Sequence, residues 1–214
     1  MEYPKEISKI ILLGNSLKFY DTFSNIFRDK LIIIVSWRNC DKYLKNKADK
    51  SPDLIVICGY DYCSGLMKFD KFIKTNIVNP ISFIDKIAGP QTILLYMDTN
   101  DSKYQITYSR YKYAKNALSL KLLKYGNQYK RVKLPVILNN QNSADVNGNL
   151  LTKFIFNVLI RLKVIDTINL KELKKIIIEA LDSELIFQPQ ILNGRFLKIR
   201  RTLFIDRVLR LIYG

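Results

Sequence analysis

The chain has 214 residues, of which 48% are hydrophobic and 25% are charged, and its formal net charge is +16. This composition excludes a disordered chain and allows one domain with a core of normal size. No apolar run reaches the roughly 18 to 20 residues of a membrane-spanning helix. The first residues also lack the basic flank and the long apolar stretch of a secretory signal. We therefore expect a cytoplasmic protein.

Missing and sparse residue types exclude several kinds of active site. The sequence has no histidine, which removes Ser-His-Asp and Cys-His nucleophiles and histidine-bound metals. Its three cysteines, Cys40, Cys58 and Cys63, form neither a disulfide framework nor a zinc-binding pattern. We expect no metal site, so any acid–base chemistry falls to Tyr, Lys, Asp, Glu or Cys.

The positive charge favours partners that carry phosphate, such as nucleotides, nucleic acid or anionic lipid. The composition is also rich in Lys, Ile and Asn, as AT-rich coding produces, so part of the charge has no functional meaning. Nucleic acid is therefore a less favoured partner than a small phosphate-bearing molecule.

In chain order, short apolar runs alternate with helical patterns. Residues 9–13 predict a buried strand, 17–27 a helix, 31–35 a strand rich in β-branched residues, 41–50 a polar helix or loop, and 54–58 a third strand. The next elements are a helix over 66–87 with a break at 79–80, a strand over 91–97, a long helix over 105–125 and a fifth strand over 131–138. This order predicts an α/β fold of Rossmann type, in which helices cover both faces of a parallel sheet.

An Asn-rich loop at 139–149 marks a boundary in the second half of the chain. It separates a Rossmann-like domain, 1–140, from a reduced and mainly helical C-terminal region, 141–214. That region contains predicted helices over 150–162 and 170–181, and we expect it to pack on the sheet.

The C-terminal tail has a pattern of its own. Residues 202–213 predict a basic amphipathic helix, which can lie on an anionic membrane. The alternative, which we favour, is that its apolar face packs on the sheet domain.

Gly14, Asn15 and Ser16 follow the first predicted strand, where a dinucleotide-binding fold has its phosphate loop. Glycines are needed there because the pyrophosphate approaches bare backbone N–H groups at a helix N-terminus. This segment has one glycine where the full pattern has three. It predicts either a phosphate-binding turn or a simple strand-to-helix turn.

The end of the second predicted strand carries Trp37 and Arg38 in place of the acid that binds the ribose of NAD. Arg38 suits a 2′-phosphate in a bidentate way, and Trp37 suits stacking on an adenine. If a dinucleotide binds, we expect NADP to be preferred over NAD. The alternative is a surface arginine and a tryptophan at the edge of the core.

Tyr108 and Lys112 lie four residues apart on the long predicted helix and therefore share one face of it. A nearby ammonium lowers the pKa of a phenol, which can then exchange a proton with a sugar hydroxyl. Tyr111 and Lys115 repeat this spacing in the adjacent register.

Three segments, 94–99, 108–118 and 132–137, together resemble the extended short-chain dehydrogenases/reductases, a family that includes sugar-nucleotide epimerases and dehydratases. The resemblance covers about 8–140. It implies that Tyr108 is the catalytic acid/base, that Lys112 tunes it, that Thr99 orients the substrate hydroxyl and that Asn76 supports the site.

The same resemblance implies an NADP- or NAD-dependent epimerase, dehydratase or reductase that acts on a nucleotide sugar in surface-polysaccharide biosynthesis. It also implies a homodimer through the helix that carries Tyr108. The rival hypothesis is a non-catalytic protein of the same fold, which binds a nucleotide, an anionic polymer or a protein partner.

Overall fold

The computed structural model describes residues 7–14, 17–43, 51–61, 67–99, 110–138, 150–162 and 166–182. Its centre is a sheet of five strands in the order β2-β1-β3-β4-β5, and every neighbouring pair is parallel. The strands are β1 (Lys9–Leu13), β2 (Leu31–Val35), β3 (Leu54–Ile57), β4 (Ile93–Thr99) and β5 (Tyr129–Leu134). The predicted parallel α/β sheet is therefore confirmed.

Apolar side chains alternate between the two faces of the sheet, and each face carries its own core. One core joins the sheet to α1 (Leu17–Ile26) and α7 (Leu170–Asp182) through buried Phe23, Leu173 and Ile177. The other core joins it to α2 (Cys40–Tyr43), α4 (Asn79–Ile87) and α5 (Arg110–Leu122). Because strands buried on both faces need apolar residues at every position, this layering explains the near-continuous apolar runs.

The helical segment before β4 is continuous, whereas the sequence predicted a break at 79–80. It runs from α3 (Phe69–Ile73) through a π-helical turn (Lys74–Val78) into α4. Pro80 lies in the first turn of α4, where a missing backbone N–H is tolerated. The π-helical turn buries Asn76, and wide turns of this kind recur at functional sites.

The remaining elements extend the sheet domain. A 3-10 segment (Leu123–Gln128) connects α5 to β5, and a second small sheet pairs β6 (Val136–Ile137) with β7 (Thr167–Ile168). Helix α6 spans Leu150–Arg161. The predicted boundary loop at 139–149 and the predicted tail helix at 202–213 lie outside the described residues. No helix in the described part of the chain is long and apolar enough to cross a membrane.

Helix α7 is fixed at both ends. At its N-terminus, the Glu172 amide donates to the Asn169 side chain (2.9 Å), and the Glu172 carboxylate accepts from the Asn169 amide (2.8 Å). This reciprocal capping box satisfies two N–H groups that the helix leaves unpaired. Near the other end, Lys130 Nζ of β5 donates to the carbonyl of Leu181 (2.7 Å). Helix α7 is therefore part of the sheet domain's own core.

The strand order reverses between β1 and β3. From β1 the chain moves outward to β2, and then it crosses back over β1 to begin β3 on the other side. In open parallel sheets, ligands bind in the crevice outside the carboxyl ends of the strands at such a switch point. We therefore expect a ligand site at the turns that follow β1, β2 and β3.

Candidate nucleotide-binding crevice

Gly14 ends β1 and lies against the turn that follows β3. Its φ of 131° is in the region that favours glycine, and its N–H donates to the carbonyl of Val35 (2.9 Å). A Cβ at this position would lie 2.6 Å from both the Cα and the N of Gly59. The contact between the turn after β1 and the turn after β3 thus requires a glycine at position 14, with or without a bound ligand. Asn15 and Ser16 lie outside the described residues.

Trp37, just after β2, reaches across the switch point. Its indole is buried and packs on Gly59, where a Cβ would lie 2.7 Å from the ring atom Cδ2 and closer still to Cε3. Because β1 lies between β2 and β3, an indole that starts after β2 and touches Gly59 passes over the end of β1. The side chain therefore occupies the crevice.

Asn76 holds the indole in this position. Its Oδ1 accepts from Trp37 Nε1 (3.2 Å) and from the backbone N–H of Asp61 (2.9 Å), while its Nδ2 donates to the carbonyl of Phe72 (3.3 Å). The π-helical turn brings this buried amide inward. In the structure Asn76 thus links the end of β2 to the turn after β3.

Arg38 points to a carboxylate that sequence reasoning missed. Its Nε donates to Asp61 Oδ1 (2.8 Å), and its Nη2 contacts the same oxygen. Asp61 is buried, whereas 54% of the Arg38 side chain is exposed. Polar residues that follow parallel strands meet at one edge of the sheet, so the position of Asp61 shortly after β3 was the signal that could have found it.

A buried lysine lies at the carboxyl end of β4. Lys115 of α5 donates from Nζ to the carbonyl of Met97 (3.3 Å), and this ammonium lies 5.1 Å from the centre of the Tyr96 ring. Burial lowers the pKa of Lys115, although the nearby charges of Asp98 and Cys58 act in the opposite direction. Burial likewise raises the pKa of the Cys58 thiol to about 12, against the effect of Lys115. Lys115 is thus a desolvated amine between the ends of β3 and β4.

Tyr111 lies one helical turn before Lys115. The Lys115 ammonium is 5.9 Å from the centre of the Tyr111 ring, which packs edge-to-face on Tyr60 at 4.7 Å between centroids. Tyr60 directly follows Gly59, so this aromatic pair connects α5 to the crevice. Among the described residues, Tyr111 and Lys115 thus place a tyrosine ring and an amine close together at the carboxyl end of β4.

A second buried carboxylate lies close to this pair. Asp98 of β4 accepts from Nε of Arg131 on β5 (2.8 Å) and also contacts its Nη2. Burial lowers the pKa of Arg131, but the hydrogen bond to Asp98 and the nearby negative charges together outweigh burial, so the pKa is raised overall. Asp98 therefore interacts with two cations. It forms its hydrogen bonds with Arg131, and its negative charge also acts on the Lys115 amine.

The other predicted catalytic residues are less fully defined by the structure. Tyr108 lies outside the described residues. The backbone of Thr99 ends β4 and that of Lys112 belongs to α5, but their side chains are outside the described part. Among the described residues, no three His, Cys, Asp or Glu side chains are grouped so that they could hold a metal ion.

The residues at the crevice meet the needs of a dinucleotide only in part. Gly14 supplies the tight turn after the first strand. Phe19 stands where the third glycine of the full pattern would allow close helix–strand packing, and its ring is buried in the core. At the end of the crevice beside β2, the buried Trp37 indole packs on Gly59.

Comparisons with known proteins give structural neighbours only, since no family model and no curated protein matches the sequence. The fold is similar to that of the Bordetella bronchiseptica enzyme WbmH in complex with NAD+, with 14% identity over 82% of this chain and 72% of that one (TM-score 0.56).

Two further solved structures agree. A dTDP-4-dehydrorhamnose reductase from Bacillus anthracis in complex with NADP is 14% identical over 84% of this chain and 73% of that one (TM-score 0.54). A GDP-L-fucose synthetase from Naegleria fowleri bound to NADP is 11% identical over 85% and 72% (TM-score 0.56). The chain thus shares the α/β fold of these three proteins, in agreement with the Rossmann-type fold that the sequence predicted.

Proposed function

We propose that the chain is a reductase, epimerase or dehydratase of the short-chain dehydrogenase type that acts on a nucleotide sugar. NADP or NAD, when bound, would supply or accept the hydride. The observation that carries the proposal is the placement of Tyr111 and Lys115, a phenol and a buried amine, at the carboxyl end of β4 beside the switch point. The structural neighbours named above support this general kind of chemistry.

In this proposal the chain's own residues move a proton. The Lys115 ammonium lies 5.9 Å from the centre of the Tyr111 ring, so its positive charge acts on the phenol. The Tyr111 oxygen can then take a proton from a sugar hydroxyl or return it, while Lys115 stabilises the charge that develops. Lys115 is held by the Met97 carbonyl, which orients its N–H groups without neutralising them.

The sequence assigns the same roles to Tyr108 and Lys112, with Thr99 and Asn76 as supporting residues, so two registers of one helix compete. Tyr108→Phe and Tyr111→Phe, each purified as the folded protein, distinguish them. Conversion of the sugar would be followed together with consumption of NADPH or NADH, because an epimerase or a dehydratase consumes no net cofactor. The substrates would be a panel of UDP-, GDP-, dTDP- and ADP-linked 4-keto and 4-hydroxy hexoses. Loss of turnover in Tyr111→Phe alone would assign the acid–base role to Tyr111 and Lys115. Loss in Tyr108→Phe alone would assign it to Tyr108 and Lys112. Turnover that survives in both variants would remove the acid–base assignment.

Gly14, Asn15, Ser16 and Arg38 stay the proposed cofactor-contacting residues. A role in surface-polysaccharide biosynthesis belongs to the same proposal, whereas contact of 202–213 with anionic membrane is the less favoured alternative to packing on the sheet domain. Vesicles with and without anionic lipid would test the membrane contact, because only the anionic vesicles should retain the protein at low salt.

The contact between Trp37 and Gly59 favours a second candidate, a non-catalytic protein of this fold that binds a different ligand. Thermal unfolding with NADP, NAD, UDP-sugars and RNA distinguishes the two. A ligand present at 100 times its dissociation constant adds about 2.7 kcal/mol of stability. Stabilisation by NADP or NAD supports the enzyme, whereas stabilisation by UDP-sugars or RNA alone supports the binding protein.

A further inference from the structure

The indole of Trp37 lies where a nucleotide base would lie. In a dinucleotide-binding crevice the residues that follow the second strand contact the adenosine ribose, and the pyrophosphate lies at the first helix. Trp37 follows β2, and its ring extends from there to Gly59 beyond β1. The side chain therefore lies at the end of the crevice where the adenosine of a dinucleotide binds in this fold.

The surroundings of the indole also suit a purine. Gly59 has no side chain, so one face of the ring packs on bare backbone, as a planar base would. Asn76 Oδ1 accepts the indole N–H, and the same oxygen can accept an N–H of the exocyclic amine of adenine. Arg38, the next residue along the chain, has a side chain that is 54% exposed and forms an ion pair with Asp61. Phosphate groups of a nucleotide are bound well by a guanidinium group.

We propose that Trp37 is an internal ligand that mimics adenine, and that an adenine nucleotide binds to this chain by displacing the indole from Gly59 and Asn76. This inference rests on the proposed nucleotide-binding function of the crevice and adds the step that controls access to it. Displacement also breaks the hydrogen bond that the indole donates to Asn76.

The internal ligand lowers nucleotide affinity by mass action. If the open form makes up roughly 1 to 10% of the population, the apparent dissociation constant is about 10- to 100-fold weaker than that of the open site. Removing the indole should therefore tighten nucleotide binding by about 10- to 100-fold. A small molecule of the same shape as the indole should then compete with the nucleotide for the space that the side chain left.

Trp37 is the single tryptophan of the chain, so its fluorescence reports its own displacement. In the wild-type protein, saturation with AMP or NADP should shift the emission to longer wavelength as the ring enters water. In Trp37→Gly, calorimetry should show AMP binding at least about tenfold tighter than in the wild type. Free indole should compete with AMP for that variant. Phe83→Ala, which removes a buried ring of the same core from α4, is the matched control and should not gain AMP affinity.

Two results would overturn the inference. One is a folded Trp37→Gly protein that binds indole but binds AMP no more tightly than the wild type. The other is wild-type protein that binds NADP without any change in emission. Should Trp37→Gly fail to fold, Trp37→Phe takes its place, and absence of a gain in AMP affinity then counts against the inference. The proposed enzymatic function is tested separately. It fails if the protein shows no turnover although AMP and indole still compete for binding to Trp37→Gly.

Discussion

Trp37 and Gly59 are in direct contact although they follow strands on opposite sides of β1. This contact joins the turn after β2 to the turn after β3 and closes the crevice at the switch point. Position 59 has no room for even a methyl group because the indole lies against it. A glycine is therefore required there by the neighbouring side chain and not by its own backbone angles.

Gly59→Ala should therefore displace the indole and destabilise the protein. The added methyl would overlap the ring, and overpacking of this kind costs about 1 to 3 kcal/mol. Denaturant unfolding followed by tryptophan fluorescence measures both the stability and the environment of Trp37. Gly126→Ala is the matched control, since a Cβ there meets no atom within 4 Å and only the φ of 54° opposes it. Equal behaviour of the two variants, with unchanged emission from Trp37, would contradict the packing described above.

Asp61 should weaken the preference of the chain for NADP over NAD. The sequence predicts this preference from Arg38, but Asp61 already binds that guanidinium. Arg38→Gln should remove the preference, whereas Asp61→Asn should increase it by on the order of 1 kcal/mol, because the cation is no longer shared. The ratio of the two dissociation constants, measured by calorimetry at low and high salt, checks both variants. A ratio that is unaffected by Asp61→Asn would show that Arg38 does not face the 2′-phosphate.

Lys115 should make stability depend on pH in the alkaline range. Its pKa is lowered in the folded protein from 10.5, so between the lowered value and 10.5 the unfolded chain holds a proton that the folded chain has lost. Stability then rises with pH across this window, by at most about 1.4 kcal/mol per pH unit for one proton. Below the window both states are protonated, and the contribution is constant.

The comparison with Lys115→Met isolates this effect. Burial raises the pKa of Cys58 and Tyr129, which titrate in the same alkaline range and act in the opposite direction. The difference in unfolding free energy between wild type and variant, measured at several pH values, should change in favour of the wild type as the pH rises. A difference that stays flat up to pH 10.5 would show that Lys115 is not desolvated.

The proposed homodimer should depend on the outer surface of α5. Leu120 and Leu123, the second of which lies just after the helix, are 67% and 52% exposed. Leu120→Glu combined with Leu123→Glu places like charges on the surface and should convert a dimer to a monomer in light scattering after size exclusion. Phe154→Glu, at an equally exposed aromatic residue of α6, is the control that should leave the dimer intact. A monomeric wild-type protein would exclude the dimer altogether.

Local sequence patterns were sufficient for the elements of the fold. Residues 31–35 and 54–57 both have apolar side chains at every position, as is typical of strands in a parallel sheet. Residues 54–57 are buried throughout, whereas the edge strand 31–35 leaves Leu31 and Ile34 exposed. The alternation of such runs with helices is enough to predict a parallel sheet, because parallel neighbours need a crossover connection. The segment around Pro80 was predicted less well, since a π-helical turn has no distinct sequence signal.

Contacts between distant segments were not accessible to the same reasoning. The spacing of Tyr108 and Lys112 is the same as that of Tyr111 and Lys115, and residues three apart differ by about 60° around a helix. The apolar pattern of α5 could not choose between the registers, because its buried face itself contains Lys115 and Ser119. Only the packing of α5 on β4 shows that Lys115 points inward.

The sequence by itself determined the strands, most of the helices, the parallel alternation and the glycine at the first turn, because each of these depends on residues close together in the chain. The tertiary structure decided what the crevice contains. It paired Arg38 with Asp61, 23 residues further on, and fastened Trp37 to Asn76, 39 residues further on. Such contacts depend on which strands become neighbours, and the order of strands in a sheet follows from the packing of the whole domain and not from any local pattern.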